Sequence, residues 1–183
     1  SFAGSPLAYA TTTSTRASST QVTALDPATG VVRWKARLSG NLTPVGVHDD
    51  SVFFLSADSV YGDTDAVVRY NPESGSSRRV PLPVARPDAQ ATVHGDVVYV
   101  LSATGALDAV DTRAGKRVWH LETSVSRGSE PVADGEHVYF TAADGRLLAV
   151  DAVKGRLVGQ TRARPGSNSG TVAGALPAPV LAD

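Results

Sequence analysis

The sequence contains no cysteine and no methionine. Without cysteine the chain can form no disulfide framework, no zinc-thiolate site and no catalytic thiolate. Long apolar runs are missing too: no window approaches the roughly 18 consecutive apolar residues of a membrane-spanning helix. The opening residues, SFAGSPLAYA, lack the basic start of a signal peptide. Neither sign of charge is in excess, with 17 basic against 18 acidic side chains and a net charge of -1. A nucleic-acid or anionic-membrane surface would need a basic surplus gathered on one face. Apolar stripes at helical spacing are also absent. With no methionine, including at position 1, these residues are expected to be the interior of a longer gene product. Lys35, Lys116 and Lys154 are the only lysines among the basic residues, and this arginine bias, with abundant Ala, Val, Gly and Asp, points to a GC-rich bacterial source.

What the chain does contain is a repeat, the first thing to seek because a missed period misassigns the whole fold. Four segments read DPATGVVRW (26–34), NPESGSSRR (71–79), DTRAGKRVW (111–119) and DAVKGRLVG (151–159). Their glycines, Gly30, Gly75, Gly115 and Gly155, are spaced by 45, 40 and 40 residues. A second landmark keeps the same step, aligning Tyr9, Phe53, Tyr99 and Tyr139 in short apolar runs. A third opens each unit as PVGVHDD (44–50), ATVHGD (91–96) and PVADGE (131–136), and again as PVLAD (179–183). The units run approximately over 1–43, 44–90, 91–130 and 131–178, with 179–183 starting a further one.

Within a unit, runs of Val, Tyr, Phe and Leu alternate with clusters of Gly, Asp, Asn and Ser, which predicts strands and turns. In the third unit strands are expected near 90–94, 97–102, 106–110 and 116–121. The Asp-x-x-x-Gly turn has a mechanism: Asp111 can accept hydrogen bonds from turn amides while Gly115 takes a positive φ. Asp26 with Gly30 and Asp151 with Gly155 repeat it. Four short antiparallel strands cannot bury both their faces alone, so each sheet must stack on others like it. Stacked radially, such sheets make an all-β propeller of four-stranded antiparallel blades. Ala24, Ala109 and Ala149, two residues before each turn Asp, would let adjacent sheets approach. Trp34 and Trp119, four residues after the turn Gly, would cover the seams between blades.

The stretch VYVLSATGALDAVDTRAGKRVWH (98–120) resembles the repeat of the PQQ-like propeller family: a V-Y-V strand, a turn ending in Gly, a strand ending in Ala-x-Asp, then a Gly-Lys turn and a Trp. Arg79 and Gly159 stand in the Trp position of units two and four, and Arg69 in the Ala position of unit two, which predicts looser seams or different contacts. The family's ring has seven or eight blades and this chain supplies about four, so the resemblance implies part of a larger ring. A closed four-blade ring and a pair of chains completing one ring are the alternatives. The tail resembles an innermost strand and GSPLAYA (4–10) a second strand, so that together they would complete one blade.

The resemblance also raises quinone chemistry. Dehydrogenases of this fold carry a vicinal cysteine pair, a tryptophan floor and a calcium ion; here cysteine is absent and both tryptophans sit at seam positions. Neither pyrroloquinoline quinone nor calcium is therefore expected, and no catalytic residue is assigned. His48, His94, His120 and His137 are spaced as surface polar residues rather than metal ligands. Asp58, Asp63 and Asp65 lack the Asp-x-Asp-x-Asp-Gly spacing of a calcium loop. No Gly-x-Ser-x-Gly elbow occurs, and Asn41–Thr43 is a formal glycosylation sequon.

Loop length carries more. The second connection of each unit is short in units three and four (SATG, AADG) but long in units one and two (TTTSTRASST, 11–20; SADSVYGDTD, 56–65). Long loops on a rigid scaffold are where binding is commonly placed. Candidate recognition residues are Arg16, Asp58, Tyr61, Asp63, Arg127 and Glu130; unconstrained insertion is the competing reading. The sequence thus points to a non-catalytic binding, sensor or scaffold portion of a larger bacterial protein, its partner a protein or small ligand and not nucleic acid. Members attached to actinobacterial serine/threonine kinases and the outer-membrane barrel-assembly lipoprotein are similar, which implies an extracytoplasmic or cell-surface location, with the cytoplasm still open. A dehydrogenase fragment and a self-contained four-blade or dimeric module are the other two readings.

Overall fold

The computed structural model describes residues 7–14, 18–163 and 178–180. Among these residues there are fifteen strands and no helix, hence none long and apolar enough to cross a membrane. The strands form four antiparallel sheets. The first is β1 (Ala8–Ser14), β2 (Ser19–Leu25) and β3 (Val32–Ser39). The second is β4 (Asn41–His48), β5 (Ser51–Ala57), β6 (Thr64–Tyr70) and β7 (Ser77–Arg86). The third is β8 (Gln90–His94), β9 (Val97–Leu101), β10 (Ala106–Asp111) and β11 (Lys116–Glu122). The fourth is β12 (Val132–Ala133), β13 (His137–Thr141), β14 (Leu147–Asp151) and β15 (Leu157–Gln160). In each, consecutive strands are neighbours, the meander of a propeller blade. The chain divides into two compact units, residues 1–85 and 86–183, each holding two sheets.

The repeated turn has one geometry in all four copies. Gly30, Gly75, Gly115 and Gly155 have φ of 70°, 71°, 73° and 63°, a region open to glycine at little cost. Each donates its N–H to the carbonyl of the residue four before it, Asp26, Asn71, Asp111 or Asp151, at 2.7–2.9 Å. The side chain of that residue caps the turn. Asp151 Oδ1 accepts from Val153 and Lys154 N–H at 3.0 and 2.8 Å, and Asn71 Oδ1 from Glu73 and Ser74 at 2.9 Å. Asp26 Oδ1 accepts from Ala28 and Thr29, and Asp111 Oδ1 from Ala114 at 2.7 Å. Asparagine serves in the second copy because the acceptor oxygen, rather than the charge, closes the turn.

The second landmark is explained by register. Tyr9 pairs with Ala24 and Ala24 with Trp34; Tyr99 pairs with Ala109 and Ala109 with Trp119. Alanine between two aromatics leaves room for the rings to meet above it, at 5.8 Å for Tyr9–Trp34 and 5.9 Å for Tyr99–Trp119. The small residue thus serves ring contact within its own sheet. In the fourth sheet the row is Tyr139, Ala149, Gly159, and no indole is present. In the second, Arg69 pairs with Phe53, lies 5.7 Å from its ring centroid and donates from Nε to Ser51 Oγ at 2.9 Å.

Within each unit the two sheets share an apolar seam. In the first unit it is built from Val22, Leu42, Val52, Phe54, Val68 and Tyr70, with Trp34 packed on it. In the second it is built mainly from Leu101, Leu107, Val138, Phe140, Leu148 and Val150, with Trp119 against it. Each such buried side chain stabilises the fold by about 1.5–3 kcal/mol.

Three expectations change. The segment 11–20 is mostly strand: Thr11 to Ser14 continue β1 and pair down to Ser14 opposite Ser19, because a threonine run suits an extended, half-buried edge. The first unit's long connection is thereby cut to residues 15–18, and that of the second unit to 58–63. The boundary drawn between 43 and 44 lies inside β4, which starts at Asn41; Asn41 is buried with Nδ2 donating to the Ala57 carbonyl, so the sequon is not presented to solvent. The first sheet has three strands; of the further strand expected over 179–183, only Pro179 and Val180 are described, outside any strand and with Val180 exposed. Residues 181–183 lie outside the described residues.

Candidate functional site

In the second unit the connection from β11 to β12, residues 123–131, is clasped to the tips of two hairpins. Thr123 N–H and Oγ1 both donate to the Gly105 carbonyl, at 3.0 and 2.7 Å. Arg127 N–H donates to the Ala103 carbonyl at 2.8 Å, and Ser129 N–H to Thr141 at 2.8 Å. Thr141 N–H returns a bond to Ser129 Oγ at 3.0 Å. Packing allows no slack: Val125 and Ser129 are buried, a Cβ on Gly105 would run into the Val125 carbonyl, and one on Gly128 would lie 2.8 Å from Leu101 Cδ2. A connection without secondary structure of its own is thus tied by backbone hydrogen bonds and packing to both hairpin tips.

At its crest Arg127 has φ of 54°. The matching bond in the first unit is made by Gly40, φ 93°, whose N–H donates to the Ser18 carbonyl at the tip of the β1–β2 hairpin. The backbone job is therefore the same, and glycine does it without strain, whereas arginine pays about 1–2 kcal/mol for the left-handed conformation. Strain kept at one position while its equivalent avoids it points to a use for the side chain. The Arg127 side chain is exposed, as is that of Glu130 three residues on, and neither side chain has a hydrogen bond or ion pair among the described residues.

In the first unit Asp58, Tyr61 and Asp63 share the loop 58–63. A turn closes it, Gly62 N–H to the Ser59 carbonyl at 3.1 Å, and the Asp58 carboxylate folds against the Cα of Gly62 so closely that a Cβ there would collide with it. Tyr61 projects fully, 100% exposed, with Val60 beside it. Asp65, the third acid of the segment, is tied to Arg79 at 2.6 Å. Arg16 lies outside the described residues. The structure thus groups Asp58, Tyr61 and Asp63 on one loop and Arg127 and Glu130 on another. Among the described residues no group of three or more His, Asp or Glu side chains could hold a metal ion.

The structural positions are also filled. Trp119 lies flat over Gly155, where a Cβ would meet its ring, and Nε1 donates to the Ala152 carbonyl at 2.8 Å. Trp34 rests between Tyr9 and Tyr70, each 5.8 Å away, and its buried Nε1 has no partner. Burial raises the Tyr9 and Tyr99 phenol pKa values. The hydrogen bond and charge of Arg33, helped by the turn amides, lower that of Asp26. Asp151 is lowered chiefly by the Lys154 amide.

Sequence reasoning missed one cluster and misjudged a histidine. Asp108 in β10 is 0% exposed and is held by Arg86, Arg117 and His120. His120, expected to be a surface bystander, is bonded through both ring nitrogens, to Asp108 and to Glu122, at 2.9 Å each. The signal was a carboxylate inside the apolar strand ALDAVD, where units two and four carry Val68 and Leu148.

With this geometry in place the chain can be set beside known proteins. Residues 2–174 match the family described as outer membrane protein assembly factor BamB. The chain belongs to the PQQ-like β-propeller family. Among solved structures, BamB from Moraxella catarrhalis is 24% identical, with a TM-score of 0.60 over 81% of this chain and 46% of that one. Apo AztD from Citrobacter koseri is 20% identical, with a TM-score of 0.55 over 79% of this chain and 42% of that one. At these identities the likeness shows the propeller fold, and the chain spans less than half the length of either structure. No match is found among curated protein sequences.

Proposed function

We propose that this PQQ-like propeller segment is a non-catalytic binding module of a larger bacterial protein, working outside the cytoplasm as an interaction scaffold or sensor. The observation that carries the reading is Arg127, an unpaired cation on a strained backbone that its surroundings hold fixed. Rigid presentation lowers the entropy lost on association, and arginine is enriched at the energetic centres of interfaces. Tyr61, exposed between Asp58 and Asp63, offers a second anchor in the other unit. An extracytoplasmic location and a protein partner are supported by the family description, an outer membrane protein assembly factor. Four blades, with coverage of 46% and 42% of the two structures above, fit a contribution to a larger ring.

A quinone-free reading is supported by what the residues are already doing. The chain has no cysteine pair; one indole lies over Gly155 and the other between two tyrosines, so neither is available as a floor for a planar cofactor. The residues present do not fit a quinone site of the dehydrogenase kind.

The test is site-specific photocrosslinking in the full-length protein in its own cells, with the photoreactive residue at Arg127 or Tyr61 and a control at exposed Glu73 in the second repeat turn. Discrete crosslinked partners at the first two positions and none at Glu73 are expected. Crosslinking no stronger than at Glu73, together with saturable quinone and calcium binding by titration calorimetry, would overturn the reading in favour of a dehydrogenase fragment.

A further inference from the structure

The tip of the β9–β10 hairpin, residues 102–105, is gripped from both sides through one residue. Ala103 donates its N–H to the Pro87 carbonyl at 3.0 Å, on the connection entering the third sheet, and its own carbonyl accepts the Arg127 N–H at 2.8 Å, on the connection leaving it. The tip is stiffened from within: Ser102 is buried, and its Oγ accepts from the Thr104 and Ala106 amides at 3.2 Å each. Asp88 follows Pro87 directly and has φ of 43°, so both flanking connections present a non-glycine residue on left-handed backbone. Aspartate visits that region more readily than arginine does. Both side chains are exposed, and the Asp88 carboxylate, like the Arg127 guanidinium, has no hydrogen bond or ion pair among the described residues.

Other tips differ. In the first unit the Arg127 position is taken by Gly40, and in the fourth sheet Asp144 and Arg146 share one tip and bond each other, Nε to Oδ2 at 2.7 Å. Asp88 and Arg127 are instead kept apart by two hydrogen bonds and the width of Ala103. That arrangement selects its occupant. A simple anion at Arg127 would be opposed by Asp88 and Glu130, and a cation at Asp88 by Arg127, so the occupant carries both signs. Asp88, Thr104, Ser126 and Arg127 all stand exposed, whereas small molecules are held where most of their surface is buried; a polypeptide surface can cover such a crest. A second copy of this chain has the complementary pair at the matching separation by construction. Turned by a two-fold rotation, it brings its arginine to Asp88 and its aspartate to Arg127, the self-complementary contact of an isologous dimer.

We propose that this face of the second unit pairs with a second copy of the chain about a two-fold axis, Asp88 of each protomer against the partner's Arg127; the inference rests on the binding role proposed above for Arg127. Exposed ion pairs are weak and screened by salt, so the dimer is reversible and tighter at low ionic strength. The test is sedimentation velocity of the full-length protein and of Asp88→Arg, Arg127→Asp and the two combined, at about 0.05 M and about 0.5 M salt. The parent is expected to dimerise, its dissociation constant raised about tenfold or more by high salt or by either single reversal, which sets two like-charged pairs face to face. The combined reversal makes every pair opposite in sign again and should return the constant to within about threefold of the parent. Arg127→Gly and Asp88→Asn, which suit left-handed backbone, replace any reversal that fails to fold, and each should weaken the dimer likewise. A parent that stays monomeric, a dimer indifferent to salt and to the reversals, or a combined reversal as weak as the singles would overturn the two-fold pairing. A monomer whose Arg127 position still crosslinks a different protein in cells overturns the pairing alone; a monomer that crosslinks none overturns the binding role with it.

Discussion

The two tryptophans occupy the same place in the repeat, yet only one is fully bonded. Trp119 covers Gly155 and donates to the Ala152 carbonyl; Trp34 has no partner for its buried N–H, and Gly75 has nothing within 4 Å of where a Cβ would stand. The cause is one residue. Where the second unit has Val150 just before its turn Asp, the first has Tyr70, whose ring fills the floor and holds Trp34 at 5.8 Å. The repeat places the two tryptophans alike, and a single side chain across the seam decides whether the indole N–H is satisfied. Burial of an unpaired N–H costs about 1–3 kcal/mol, so the first seam is the weaker.

Truncation to alanine should separate the seams most. Trp119→Ala is expected to cost about 3–5 kcal/mol by urea unfolding, and Trp34→Ala about 1 kcal/mol less because an unsatisfied donor leaves with the ring; equal losses would erase the distinction. Next come the glycines. Gly155→Ala must bear a left-handed backbone, about 1–2 kcal/mol, and displace the indole, about 1–3 kcal/mol more, whereas Gly75→Ala bears the backbone cost alone. A smaller contrast comes from removing only the donor: Trp119→Phe should exceed Trp34→Phe by about 1 kcal/mol, since it alone leaves a carbonyl unpaired. The smallest effect is on pH dependence. Asp26 and Asp151 have lowered pKa values in the fold, so their contribution is present above the unfolded pKa and is lost as pH falls through the folded one. Acidification should destabilise the protein, and Asp151→Asn, which keeps the acceptor oxygen, should flatten the slope measured by thermal melting.

The repeat period, the Asp-x-x-x-Gly turns and the strands of the third unit were legible because each rests on local chemistry: a positive φ, an acceptor two or three residues from its amides, alternation of apolar side chains. The threonine run 11–13 misled because polar composition resembles a loop while β-branching favours a strand. The Trp34–Tyr70 conflict was hidden because it depends on two residues 36 positions apart in sequence. The Asp108 network was hidden in the same way, with only the carboxylate in ALDAVD to betray it, and its main partner Arg86 lies in an unremarkable Ala-Arg-Pro. At the candidate surface, the residue types were readable from the sequence, but the strain at Arg127 was not: nothing local marks an arginine as doing the backbone work of a glycine.

The binding role proposed for that position is tested most directly by Arg127→Gly in the full-length protein, read as the yield of partner crosslinked from a photoreactive residue at Glu130. Glycine relieves the left-handed strain, so the fold should be no less stable than the parent. A crosslinking yield reduced about tenfold or more, equivalent to roughly 1.4 kcal/mol of lost binding, is the expected result. An unchanged yield from an equally stable protein would contradict the assignment and leave Arg127 a strained residue without a use.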